Sequence, residues 1–272
     1  MTPVTAPFGD PLLGAAWACV DDFYARLFRT WPEAVTRAGE KYTLSFSGDR
    51  HLTGANHLWP HTADAITPRA LAEAEDFFEG FSAAWSVVIA DTAMPGAAAL
   101  LEESGYYPRW QSPLMVLDGL PFRLPARPGT VLRASTPQHL EDVKQVMSEA
   151  FGTGSGVSRR VVRPTHLDDP AITHYLIYAG NEPASCATVA RCDPGAPMAG
   201  VWNVGTRTLF RRQRYAVTIM LGLLDDLAAR GCTMTTLMAS PEGLSLYRRL
   251  GYRRIGMAMY MGPPYMYASP FL

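Results

Sequence analysis

An ungapped shift of 146 residues lays the first part of this chain over the second, and that internal repeat constrains the fold more than any other feature. Under it Gly54 falls on Gly200, Leu58 on Val204, Ala70 on Ala216 and Pro95 on Pro241. Leu100 falls on Leu246, Gly105 on Gly251, Tyr106 on Tyr252 and Met115 on Met261. The same order of strand and helix signals recurs on either side of Asp118–Thr130 (DGLPFRLPARPGT), whose prolines and glycines are linker composition. A chain of 272 residues can hold two units of about 130, each with its own core. The expected organisation is residues 1–117, a linker at 118–130, and residues 131–272.

Strands alternate with helices throughout, so the expected class is α/β with a mixed sheet (α+β). In the first half Asp10 caps a helix with Pro11 in its first position. Lys41–Phe46 alternates as a strand, and His51–Trp59 returns as its hairpin partner. Thr67 and Pro68 open a helix to about Phe81, Trp85–Ala90 is a strand, Pro95–Ser104 a short helix and Tyr106–Leu117 a closing strand. In the second half Val131–Arg133 is a strand and Thr136–Pro137 open a helix to Phe151. Gly152–Asp169 reads as loop, Ile172–Tyr178 and Ala184–Arg191 as strands, and Cys192–Pro197 as a turn.

The chemistry concentrates in Gly200–Gly251. Val201, Trp202, Val204 and Thr206 suit a buried strand. Phe210–Ala216 (FRRQRYA) is a cationic turn opening directly into a helix whose apolar stripe is Ile219, Leu223, Leu224, Leu227 and Ala228, stopped by Gly231. Three arginines at a helix N-terminus can be a solvated helix start. Their repulsion of the positive dipole end is relieved, however, when an anion sits there, held by free N–H groups and guanidinium forks.

Here the chain resembles the GNAT superfamily of acyl-CoA N-acyltransferases. In that family a splayed strand precedes a turn of the form [Q/R]-x-x-G-x-[G/A] that holds the coenzyme A diphosphate by its backbone. Arg211, Arg214 and Ala216 stand at the three defining positions, with Arg214 in place of the family's glycine. LMASPEGLSLYRRLGYRRIG resembles the family's closing strand–helix–strand, with its signature at Leu246–Tyr252. The resemblance covers about half the chain, Thr130–Met261. It implies two tandem GNAT-like domains, the first a degenerate copy: Ala65–Pro68 replace the arginine cluster and Leu101 replaces Tyr247.

By the same resemblance acetyl-CoA is the co-substrate. Its diphosphate is expected on Arg211, Arg212, Gln213, Arg214, Tyr215 and Ala216, its thioester carbonyl near the N–H groups of Val204, Gly205 and Thr206, and its pantetheine arm near Ser240. Arg214 is expected in right-handed helical geometry, its side chain either crowding the phosphate or reaching the diphosphate or ribose phosphate. Tyr247 is the expected acid for the thiolate, although the position also suits a packed aromatic; Ser240 equally suits a helix cap for Pro241–Gly243. The expected base is Glu242, or a water held by Asn203. His139, His166 and His174 qualify by chemistry alone, though His174 in an alternating strand reads as a satisfied strand residue. The implied reaction is acetyl transfer to a primary amine of a small molecule by direct attack in a ternary complex. A non-catalytic acyl-CoA-binding module and a structural interaction protein are the rival readings.

The remaining features exclude more than they propose. A net charge of −1 and a pI near 6.6 leave no footprint for nucleic acid or an anionic membrane. Cys19, Cys186, Cys192 and Cys232 lack metal spacing and read as reduced and structural, which with the absence of a leader or a membrane-length apolar run points to the cytoplasm. His51, His57 and His61 are the one histidine cluster, and no metal is expected there. The tail MYMGPPYMYASPFL is expected to cover a strand edge or form a subunit contact, in a monomer with an internal pseudo-dimer or in a homodimer.

Overall fold

The computed structural model describes residues 10–119, 124–126, 129–152, 154–191 and 196–263. Part of the expected linker, Cys192 and the tail beyond residue 263 lie outside the described residues. In chain order the first elements are α1 (Pro11–Thr30), β1 (Val35–Ala38), β2 (Tyr42–Phe46), β3 (His57–Pro60), α2 (Pro68–Glu79), β4 (Ser86–Ala90), α3 (Ala97–Glu103) and β5 (Tyr107–Asp118). There follow β6 (Leu132–Arg133), α4 (Pro137–Phe151), α5 (Gly154–Val161), β7 (Ile172–Ala179), β8 (Glu182–Arg191) and β9 (Met198–Thr206). The last are α6 (Tyr215–Ala229), β10 (Met234–Met238), α7 (Leu244–Leu250) and β11 (Arg253–Gly262).

Helix starts follow the capping rules closely. The side chains of Asp10, Thr67 and Thr136 accept from the N–H groups of Leu12, Ala70 and His139, and each is followed by proline. His139 is thereby accounted for: its Nδ1 also accepts the Ser135 N–H at 3.2 Å, so it completes a cap.

Two expectations need correction, and one strand was not expected. Residues 51–56 are turn, not strand, because the buried Asn56 side chain spans the loop. Its Oδ1 takes the Ser47 N–H at 2.8 Å, and its Nδ2 donates to the carbonyls of Asp49 (2.7 Å) and Ala84 (3.0 Å). The strand β1 gave no alternating signal because all four of its residues are exposed. The stretch Gly152–Asp169 contains α5 and a short 3₁₀ turn at Pro164–Leu167; its glycines and serines hid a helix held partly by the Ser148–Ser158 hydroxyl bond of 2.8 Å.

The chain forms two compact units, and neither is a contiguous half. The first comprises, among the described residues, 10–17, 24–114 and 254–263; the second comprises 18–23 and 115–253. The expected ranges 1–117 and 131–272 therefore do not coincide with them. The reason lies in the closing strands. In the first unit the strand order is β1-β2-β3-β4-β11-β5, with β11 antiparallel to β4 through Ala258↔Ala90 and Tyr260↔Val88. In the second it is β5-β10-β9-β8-β7-β6, and the end of β5 reaches β10 through Thr236 Oγ1 to the Met115 carbonyl at 3.1 Å. Strand β11, late in the sequence, thus belongs to the first unit, whereas β5 is divided between the two after Leu114.

The first unit buries Leu44, Leu58, Phe78, Val87, Ile89 and Leu101 between its sheet and helices. His57 lies inside it, edge-on to Tyr24 at 5.1 Å, and burial lowers its pKa to about 4. His51 instead takes the Arg50 Nε–H, and His61 bonds the Glu40 carbonyl, so the three histidines have separate partners. The second unit packs Tyr175, Val189, Val201, Ile219, Leu223 and Leu227 around α6.

Shifted by 146, the range 68–79 becomes 214–225 and 97–103 becomes 243–249, against α6 at 215–229 and α7 at 244–250. Both short helices end on a left-handed glycine, Gly105 (φ 85°) and Gly251 (φ 99°). The following N–H then bonds back the same way: Tyr106 to Leu101 at 2.8 Å and Tyr252 to Tyr247 at 3.0 Å.

Candidate functional site

Within the second unit, among the described residues, β9 and β10 pair in parallel only at Met198↔Met234, Ala199↔Thr235 and Gly200↔Thr236. Beyond Gly200 strand β9 follows β8 alone, as far as Thr206↔Ser185. Its other edge opens there, leaving backbone groups of Val201–Thr206 for a ligand, as an unpaired strand edge does. A β-bulge between Cys186 and Thr188 turns the strand further. At the bulge Asn203 takes a left-handed φ of 53°, a conformation asparagine tolerates better than most residues. The buried Cys186 thiol donates to the Asn203 carbonyl at 3.5 Å, and burial pushes that thiol's pKa up to about 12. Gly205 is required by packing: a Cβ there would lie 2.9 Å from Ala150 Cβ, at the end of α4.

The turn after β9 is built by arginines, in divided roles. Arg207, which the motif reading passed over, is buried; it pairs with Glu149 at 2.7 Å and Glu182 at 3.3 Å and donates to the Pro183 carbonyl at 3.0 Å. Arg211 donates to the carbonyls of Thr206 (3.2 Å) and Ala150 (2.8 Å), so its guanidinium ties the turn to α4. Gln213 donates to the Leu209 carbonyl at 3.0 Å. Arg212 and Arg214 remain exposed.

Arg214 overturns one expectation. It is not in right-handed geometry: as N-cap of α6 it has φ 67° and ψ 12°. The family's glycine position is thus left-handed in this chain, and an L-residue occupies it under strain. Arg212 is left-handed as well, at φ 58°. The Arg214 carbonyl accepts the N–H and hydroxyl of Thr218, at 2.9 and 3.0 Å. Ahead of that first helical bond the N–H groups of Ala216 and Val217 have no acceptor among the described residues.

On α7, Tyr247 is buried, edge-on to Tyr252 at 5.8 Å. Its hydroxyl has no hydrogen-bond partner among the described residues, and burial raises its pKa above the usual tyrosine value. Gly243 makes room for the ring: a Cβ there would meet Tyr247 Cε2 at 2.7 Å. Ser240 is exposed and its Oγ accepts the Gly243 N–H at 3.2 Å, which is the capping role. Glu242 is exposed beside it. His166 and His174 are not surface bases: both are buried, and their pKa values fall to about 4 and about 3.

A strand that loses its neighbour, then a bulge, then a turn delivering free N–H groups at a helix start form a cradle for an extended molecule ending in an anion. The sequence segment 132–255, which contains all of these parts, matches the family model described as "Acetyltransferase (GNAT) domain". This segment is a GNAT domain. Among solved structures, a GCN5-related N-acetyltransferase from Kribbella flavida shares the GNAT fold at a TM-score of 0.70 and 19% identity, over 92% of this chain and 94% of that one. A GCN5-related N-acetyltransferase from Sphaerobacter thermophilus gives 0.57 and 15%, over 90% and 88%. A tandem GNAT protein from the clavulanic acid biosynthesis pathway gives 0.59 and 13%, over 85% and 83%. No curated protein matches the chain. At these identities the structural likenesses establish the mixed α/β GNAT fold, and the family establishes acyl transfer as the general chemistry. Among the described residues no helix is long and apolar enough to cross a membrane.

The acyl donor general to GNAT domains, acetyl-CoA, suits the groups present. An anionic diphosphate fits the free N–H groups of Ala216 and Val217, the positive end of α6 and two exposed guanidiniums. An extended arm fits the open edge of β9.

Proposed function

We propose that this protein is an N-acetyltransferase that moves an acetyl group from acetyl-CoA to a primary amine of a small molecule, by direct attack in a ternary complex. The observation that carries the reading is the open edge of β9 running through the bulge at Asn203 into the left-handed N-cap of α6. Acetyl-CoA supplies the activated acyl group. The protein's own residues bind, orient and move a proton.

Arg212, Arg214 and the N–H groups at Ala216 and Val217 hold the diphosphate, while Arg211 and Gln213 brace the turn. The N–H groups along Val204–Thr206 orient and polarise the acyl carbonyl, a contribution that grows where water is excluded. The Tyr247 hydroxyl, which has no described partner, gives its proton to the departing sulfur and recovers one from solvent; burial raises its pKa and so weakens it as an acid. The amine's proton leaves to Glu242 or to a water at Asn203. Near-neutral charge and the buried cysteines Cys19, Cys186 and Cys232, in no disulfide among the described residues, suit a soluble amine met in the cytoplasm. The tandem reading, with the first copy degenerate, rests on the shared helix ends at Gly105 and Gly251.

The test is calorimetric titration with acetyl-CoA, followed by release of free thiol across a panel of primary amines. Binding with amine-dependent release is the expected result. Binding without release on any amine leaves only a binding module, and no binding refutes the proposal outright.

A further inference from the structure

Behind the bulge a line of polar side chains crosses three neighbouring strands of the second unit. Asn203 Nδ2 lies 3.5 Å from Thr188 Oγ1, Thr188 Oγ1 lies 2.9 Å from His174 Nδ1, and His174 Nε2 lies 3.0 Å from His166 Nδ1. Thr188, His174 and His166 are all buried. Polar groups in such a place are retained when their directions matter.

The direction of every hydrogen follows from one end. The Arg163 backbone N–H points at His166 Nδ1, at 3.4 Å, so that nitrogen accepts and the ring's hydrogen sits on Nε2. His174 Nε2 must then be the donor to His166, which leaves His174 Nδ1 as an acceptor. The Thr188 hydroxyl spends its one hydrogen on that acceptor. Towards Asn203 it can only accept, and it takes an Nδ2 hydrogen. Burial keeps both imidazoles neutral, with a single ring hydrogen each, as this order requires. The Asn203 amide is therefore not free to flip. Its Oδ1 faces away from Thr188, has no partner among the described residues, and belongs to a half-exposed side chain beside the open strand edge. The far end supports a demand on orientation over stability: His166 Nε2 is buried with no partner.

We propose that Asn203 Oδ1 docks an N–H of the acyl acceptor, and that Thr188, His174 and His166 are positioning residues that fix the carboxamide with its oxygen outward. The proposal rests on the acetyltransferase reading above and names the residue that meets the amine. A carboxamide oxygen accepts the N–H of an amine, so it orients the nitrogen towards the acyl carbon while leaving its lone pair available. Nothing is consumed in this step, and the proton leaves as already described.

Two measurements decide it. In ¹⁵N-histidine-labelled protein the ring shifts report tautomers directly, and both His174 and His166 are expected with hydrogen on Nε2. Hydrogen on Nδ1 of His174 reverses the line and overturns the proposal. In steady-state kinetics with tyramine and putrescine as probes, Thr188→Val should raise KM for the amine about three- to tenfold, the reach of one neutral hydrogen bond. KM for acetyl-CoA should stay within about twofold, and Thr188→Ser should restore the amine KM, because serine keeps the hydroxyl. Equal rises in both KM values, or no rescue by serine, would show a merely structural role and defeat it. If no amine is acetylated, the acetyltransferase reading fails separately. Docking then stands or falls on whether tyramine or putrescine shifts the Asn203 carboxamide resonances in wild type and not in Thr188→Val.

Discussion

Replacing Arg214 with glycine separates what its backbone costs from what its side chain contributes. At φ 67° and ψ 12° the residue is in the left-handed region, where an L-residue is disfavoured by roughly 1–2 kcal/mol. Glycine adopts that conformation freely but gives the unfolded chain extra freedom, which offsets about 0.5–1 kcal/mol of the gain. Arg214→Gly should thus stabilise the fold by about 0.5–1 kcal/mol, or about 2–3 °C in Tm. Arg214→Ala keeps the strain and should melt near wild type. The two variants lose the same guanidinium, an exposed cation, so both should bind acetyl-CoA about fivefold more weakly, with a shallower salt dependence. Urea unfolding gives the first quantity and calorimetry at two salt concentrations the second. A glycine variant no more stable than the alanine variant would refute the strain argument. A glycine variant binding more tightly than wild type would show that the side chain obstructs the phosphates instead of holding them.

Tyr247→Phe removes a hydroxyl with no described partner, so stability should barely change while amine-dependent thiol release falls about 10²-fold. Because burial raises that hydroxyl's pKa, turnover of the wild type should show no alkaline loss from this group below about pH 10. His57, His166 and His174 have folded pKa values lowered to about 4, 4 and 3 from 6.5, so the unfolded chain takes up their protons first. Their contribution is complete above pH 6.5 and falls as pH drops towards 4, by up to about 1.4 kcal/mol per histidine per pH unit, measurable as proton uptake of up to three on unfolding by urea between pH 4 and 7. Ending the chain at Arg253 strips β4 of its antiparallel partner at Val87–Ala90 and removes the Tyr24–Tyr260 hydroxyl bond of 2.9 Å. Hydrogen exchange should then lose its protection at Asp91, whose N–H bonds the Met257 carbonyl at 3.0 Å, and at the N–H groups of Val87–Ala90 that face β11, while Ser86, bonded to the Asn56 carbonyl, keeps its own; retained protection at Asp91 would contradict the strand order.

Sequence reasoning reached the elements whose signals are local. The Asp10, Thr67 and Thr136 caps, the stripe of α6 and the repeated glycine ends are each written within a few residues, and each is found in place. What escaped depends on distant groups. Nothing near Arg207 announces that Glu149 and Glu182 will bury it, and nothing near Thr188 tells that His174 and His166 line up behind it. The left-handed state of Arg214 was legible in principle, since the family places glycine there, but a sequence alone does not say whether the substituted residue bends the turn or endures it. The bulge left one usable trace, an asparagine in the middle of a buried strand.

The place of β11 sets an order on folding. The sheet of the first unit is complete only when residues 254–263 have joined it, although the rest of that unit ends at residue 114. Until then Val87–Ala90 present an unpaired edge that another chain can occupy. The unit that begins first in the chain is the one that finishes last.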